Sequence, residues 1–378
     1  MLRYWLSALA ATLALGAQSQ ASNEFRVEVM ADLHEPWAMA FLPDNRLLVT
    51  EKKGSIQLLS STGEGLGQVS GVPDVDYGGQ GGLGDIALHP DFASNNLVYL
   101  SYAESGTGDT RGAAVARGVL NLEGRRPKLE NVEVIWRQYP KVLGRGHYGH
   151  RLRFDDQGYL WISSGDRQKF TPAQDMQSNM GKVLRLNADG SIPADNPFVG
   201  YLAADPQVDD EAVYGQIWSL GHRNPLGIDF DMAGNLWEIE MGPAGGDELN
   251  LIAKATNYGY PKVSNGNHYD GRPIPDHATR PEFMAPMISW TPVISPGDMI
   301  VYKGELFADW QGDALVAGLS SKALVRIKLN ASGAEEVARY SMGARIRDVT
   351  EGPDGTVWLL EDERADSTGR LLKLSPTN

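Results

Sequence analysis

The chain has 378 residues, of which 42% are hydrophobic and 22% charged, a composition suited to a globular fold with a large core. Its formal net charge of −14 argues against nucleic acid as the main partner, because phosphate binding needs a clustered basic face. Cysteine is absent, which excludes disulfides, thiolate chemistry and Cys-zinc sites.

In chain order, residues 1–21 read as an export signal. Met1-Leu2-Arg3 supplies a positive start, Leu6 to Ala17 an apolar run too short to span a bilayer comfortably, and Ser19-Gln20-Ala21 a small-x-small cleavage site. The expectation is a periplasmic or secreted protein whose mature chain is residues 22–378, with no membrane span after cleavage.

One pattern then returns along the chain: an alternating apolar run, a Pro/Asp/Gly turn, and a second run rich in Leu, Val and Trp. It appears at Trp37–Asp44 with Leu47–Glu51, at Ile86–Asp91 with Val98–Leu100, and at Leu152–Asp156 with Tyr159–Ile162. Later copies are Ile228–Asp231 with Leu236–Ile239, Met299–Tyr302 with Ala314–Ala317, and Val349–Asp354 with Val357–Leu360. Each is a period-two hairpin. Six units of roughly 60 residues are long enough for four-stranded antiparallel blades. The reading is an all-β, six-bladed β-propeller forming one domain; evenly spaced copies favour it over a sandwich. Phe25–Val29 and Leu371–Leu374 both read as strands and are expected to close the ring in one blade. Ala173–Met180 is the one short helix expected.

Propellers bind ligands at one end of the central channel through loops from several blades. Four polar segments fit that role. Tyr77–Asp85 is glycine-dense and allows close backbone approach, with Gln80 its one long amide. Gly144–Leu152 carries His147 between glycines, where an imidazole suits proton transfer; His150 is its competitor, and a structural histidine is the plainer alternative. Gly221–Gly227 places Arg223 and Asn224 before a proline bend as fixed donors. Arg345 and Arg347, two apart on a strand, form a cationic fork suited to a polycarboxylate, unless they merely pair with Asp348 or Glu351. A fifth loop, Glu240–Glu248, offers carbonyls and carboxylates to a hard cation such as calcium, without the spacing of an EF-hand.

Taken together and in order, these segments resemble the soluble aldose (glucose/sorbosone-type) dehydrogenases that carry pyrroloquinoline quinone (PQQ) and calcium on a six-bladed propeller. The most specific matches are Gly181–Asn187 with Asp189–Pro193, Gly221-His222-Arg223-Asn224-Pro225, and Asp247–Ile252 with Asn257–Pro261. The resemblance implies oxidation of an aldose at its anomeric carbon to a lactone, with electrons passed to an unidentified periplasmic acceptor. It further implies His147 as general base, Arg223 as the stabiliser of charge on the quinone, and Gln80, Asn224, Arg345 and Arg347 as cofactor contacts. The carbonyls of Gly242 and Pro243 would hold calcium, and Glu248 and Tyr258 match a further calcium position. Three departures stand out. Ser320 occupies the place where relatives often carry a cofactor lysine, which implies either weaker cofactor binding or substitution by Lys322. Met241 replaces a polar residue, and Gly146 replaces an acid that helps bind glucose, which with the short Arg167–Gln174 loop implies broad sugar specificity. The rival readings are a calcium-dependent propeller lactonase and a non-catalytic binding propeller.

Overall fold

The computed structural model describes residues 24–124, 126–200, 211–330 and 333–377; the export signal expected at residues 1–21 lies outside them. The described strands form six four-stranded antiparallel sheets, as the repeats require. The innermost strands are Pro36–Phe41, Leu83–Leu88, Gly149–Phe154, Pro225–Phe230, Pro296–Val301 and Ile346–Glu351, in blades 1 to 6 respectively. Each touches the innermost strand of the next blade around the ring. Blade 6 is completed by the first strand, Phe25–Asp32, which pairs antiparallel with Arg370–Pro376 and so closes the ring as expected.

The repeat folds locally through its turn aspartate. Asp155 accepts the backbone N–H groups of Gln157 and Tyr159 and the indole N–H of Trp161 (2.8 Å). Asp231 does the same for Ala233, Asn235 and Trp237 (3.0 Å). In these two blades one carboxylate therefore closes the hairpin turn and fixes the tryptophan of the return strand.

Six buried apolar clusters lie between successive blades. Leu152 and Ile162 pack on Tyr99 and Val115 between blades 2 and 3, and Trp237 and Ile239 on Met299 and Val316 between blades 4 and 5. Trp358 and Leu360 meet Leu47 and Val49 where blade 6 returns to blade 1. A blade is covered on both faces, so its central strands are apolar on both. The helix expected over Ala173–Met180 is only a 3₁₀ turn, Thr171–Gln174. Beyond it Lys182 turns inward to the carbonyls of Pro172, Ala173 and Met180, an arrangement that consumes acceptors a longer helix would need. Among the described residues no helix is long and apolar enough to cross a membrane.

Arg151 crosses the channel and touches every other blade. Its guanidinium donates to the carbonyls of Leu226 (2.7 Å), Gly297 (2.6 Å) and Arg347 (3.3 Å), and to Asp348 (2.7 Å). Asp85 and Asp298 lie at 3.4 and 3.3 Å, and the Trp37 ring lies 4.0 Å away. This plug divides the channel into two cavities.

Candidate active site

The cavity at the N-terminal ends of the innermost strands measures about 810 Å³ and collects the polar loops of several blades. Gln80, Gly146, Asn224, Arg345 and Arg347 line it together with Trp37, Lys52, Tyr148, His150 and Gln168. The cavity at the opposite end, about 670 Å³, is ringed by Asp85, Arg151, Arg153, Asp229, Asp298 and Asp348, which pair with one another. The first cavity is therefore the one that keeps unpaired chemistry.

His147 is bracketed by the lining residues Gly146 and Tyr148 and is itself buried. Its backbone sits at φ 50°, a left-handed conformation held by its neighbours. Gln80 accepts its N–H (2.7 Å), while its Nδ1 meets Asp166 at 2.7 Å. Asp166, fully buried, also accepts the backbone N–H groups of Gln168 and Phe170, so the carboxylate is locked before it meets the imidazole. An Nδ1–H donated to Asp166 leaves Nε2 with the lone pair, the tautomer a base requires. Burial lowers the His147 pKa, the Asp166 bond opposes this, and the nearby Arg223 charge lowers it further, so the ring is neutral. Asp166 was missed in the sequence; its signal was the Gly165-Asp166-Arg167 turn directly after the strand Leu160–Ser164. His150, the competitor, stacks on Trp37 (5.0 Å, 12°) and bonds Ser101 through Nδ1 (2.8 Å), with burial pushing its pKa down to about 3.

Across the site, Arg223 donates to the Met241 carbonyl (2.8 Å) and to the Tyr269 hydroxyl (3.3 Å). Glu240 accepts the backbone N–H groups of Arg223 and Asn224, which fixes the bend before Pro225. Among the described residues, the Arg223 Nε, both amide atoms of Asn224, the Arg347 Nε and the Tyr148 hydroxyl are buried and have no hydrogen-bond partner. Orphaned polar groups are costly, and this set converges on a polar ligand with several acceptors. Arg345 and Arg347 are paired neither with Asp348 nor with Glu351. They share Asp362 (2.9 and 3.2 Å), whose carboxyl burial would raise but the two guanidinium groups hold at about 2. Gly146 leaves room that is used: a Cβ there would run into the Gln168 carboxamide.

The cation loop divides. Gly242 and Pro243 are buried, and among the described residues no hydrogen bond engages either carbonyl, so both remain available to a hard cation. Glu248 and Tyr258 are both buried and both lie near His277. His277 sits between them, 3.8 Å from Glu248 and 3.1 Å from the Tyr258 carbonyl, and the Tyr258 hydroxyl is spent on Leu251 and Ala253. Beside them His222, Glu238 and Glu240 converge, with His222 Nδ1 3.4 Å from Glu240. Lys322 is not among the residues lining the cavity; it binds Asp366 at 2.7 Å with its side chain partly exposed.

Comparison with known proteins agrees with this fold. The profile of the glucose/sorbosone dehydrogenase family matches residues 33–373. The chain is 39% identical to the aldose sugar dehydrogenase YliI of Escherichia coli (strain K12), covering 93% of each protein. The apo-form structure of the soluble aldose sugar dehydrogenase from Escherichia coli superposes with a TM-score of 0.84 at 37% identity, over 93% of this chain and all of that one. The PQQ-bound form of an aldose sugar dehydrogenase from Streptomyces coelicolor gives 0.70 at 27% identity, over 93% and 98%.

Proposed function

The chain belongs to the glucose/sorbosone dehydrogenase family, a family of sugar oxidoreductases, and from that premise we propose that it oxidises aldoses at the anomeric carbon to lactones with PQQ and calcium as cofactors. The observation that carries this reading is the His147–Asp166 pair, set beside a cavity that holds orphaned polar groups and an arginine fork. When bound, the quinone supplies the hydride acceptor and calcium the Lewis acid that polarises it.

The residues of the chain do the rest. His147 takes the proton of the anomeric hydroxyl on Nε2 as hydride leaves the same carbon, so a C–O single bond becomes the lactone carbonyl. Asp166 holds the tautomer and stabilises the imidazolium that forms. Arg223 places positive charge where negative charge accumulates, with its unpartnered Nε and the Asn224 amide as available donors. Arg345 and Arg347 carry the cofactor carboxylates. Gly242 and Pro243 would hold a calcium through their carbonyls, and Glu248 and Tyr258 a further one. Gln80 ties the first loop to the His147 backbone and overhangs the sugar, and the neutral Gln168 amide stands where an acid would tune the site to glucose, consistent with broad specificity.

The test is reconstitution of the purified protein with PQQ and Ca²⁺, followed by aldose-dependent reduction of an artificial dye. Dye reduction by several aldoses is expected. Absence of both cofactor uptake and dye reduction would sink the proposal, and lactone hydrolysis without PQQ would favour a hydrolase.

A further inference from the structure

The cavity gathers more positive charge than the arginine fork alone supplies. Lys52, immediately after the strand Leu47–Glu51, lines it beside Gln80 and Arg347. Its Nζ donates to the Gly79 carbonyl at 3.1 Å, and its side chain is only 16% exposed. The nearest acid, Glu35, stands at 3.8 Å and is shared with Lys53 (3.5 Å) and the Tyr77 hydroxyl (2.6 Å). Asp362 offers one charge to two arginines. Burial lowers the Lys52 pKa, Glu35 opposes this, Arg347 lowers it again and Asp362 raises it. Lys52 and Arg347 thus line one cavity with acids that are already shared. Such crowding is unfavourable until an anion enters.

We propose that Lys52 is a cofactor-binding residue that pairs with a carboxylate of the bound quinone between Gln80 and Arg347. It supplies from blade 1 the ammonium that neither Ser320 nor Lys322 brings to the cavity. Ser320 is spent on the Val293 carbonyl and Lys322 on Asp366. The inference rests on the PQQ reading above, and a lysine serves here as a point charge rather than a bidentate fork.

Binding, rather than turnover, tests it. PQQ is titrated into the full chain with Ca²⁺ present, and quenching of tryptophan fluorescence is followed, Trp37 being part of the cavity wall. Loss of a charge-assisted hydrogen bond predicts that Lys52→Met raises Kd by about tenfold or more, with Lys52→Arg recovering most of the affinity. Lys53→Met removes the same formal charge from an exposed neighbour and is the control for the general field. Matched melting temperatures exclude misfolding as the cause. A loss in Lys52→Met no larger than that in Lys53→Met overturns the assignment while leaving the cofactor reading intact. Failure of the unsubstituted protein to bind PQQ overturns both.

Discussion

Replacing Arg151 with Met keeps most of the side-chain volume and removes the charge that joins the blades. The guanidinium is 97% withdrawn from solvent, its side chain being 3% exposed. Its loss leaves Asp85, Asp298 and Asp348 facing one another and frees the carbonyls of Leu226, Gly297 and Arg347. Breaking a buried ion pair from one side costs about 3–5 kcal/mol. With an unfolding entropy of about 2 cal/mol/K per residue over about 350 residues, that corresponds to a melting temperature lower by about 4–7 °C. The pH dependence has a definite sign. Burial raises the pKa of Asp298 and Asp348, the latter to about 6, while Arg151 pulls both down. A carboxyl raised in the folded state contributes stability at low pH that is lost as pH rises through the folded pKa, and without Arg151 that loss is larger. The deficit of the variant therefore grows from pH 5 to pH 8. Differential scanning calorimetry at both values reads it. A melting temperature within about 1 °C of the parent at pH 8, against the several degrees expected, refutes the hub.

His147→Ala is expected to retain PQQ affinity and lose about 10²–10⁴-fold in kcat; unchanged turnover would move the base elsewhere. Asp166→Asn removes the interaction that raises the His147 pKa, leaving burial and Arg223 to lower it. Its acidic limb in kcat/KM should shift to lower pH with reduced activity, and an unmoved limb would count against the pair. In the parent that limb should fall below the ordinary histidine value of 6.5. Arg347→Ala should chiefly weaken PQQ binding and leave Asp362 to Arg345 alone; an unaltered Kd by titration would remove the clamp.

The blades were legible because a propeller repeats one local solution. Turn aspartates, period-two apolar runs and return tryptophans all act within a dozen residues, and Asp155 and Asp231 do in space what their spacing suggested. The loop histidine, the Arg-Asn bend and the fork were legible as residue types at turns. Their partners were not. Asp166 lies 19 residues from His147, and Asp362 lies 15 from Arg347, so neither pair shares a local pattern. Lys52 carried no signal in the sequence beyond its place after an apolar run, because what marks it is its burial beside loops from other blades.

His147 shows the division most clearly. The sequence by itself determined a six-bladed ring and a set of polar loops, because backbone hydrogen bonding and apolar alternation are short-range. It left His147 a histidine in a glycine turn, for which a structural role was the plainer reading. Only the tertiary structure assigned it a partner in Asp166, a neutral state through burial, and a place between two residues that line the cavity with Arg347. Electrostatic environment depends on which groups are withdrawn from water together, and closure of the ring decides that.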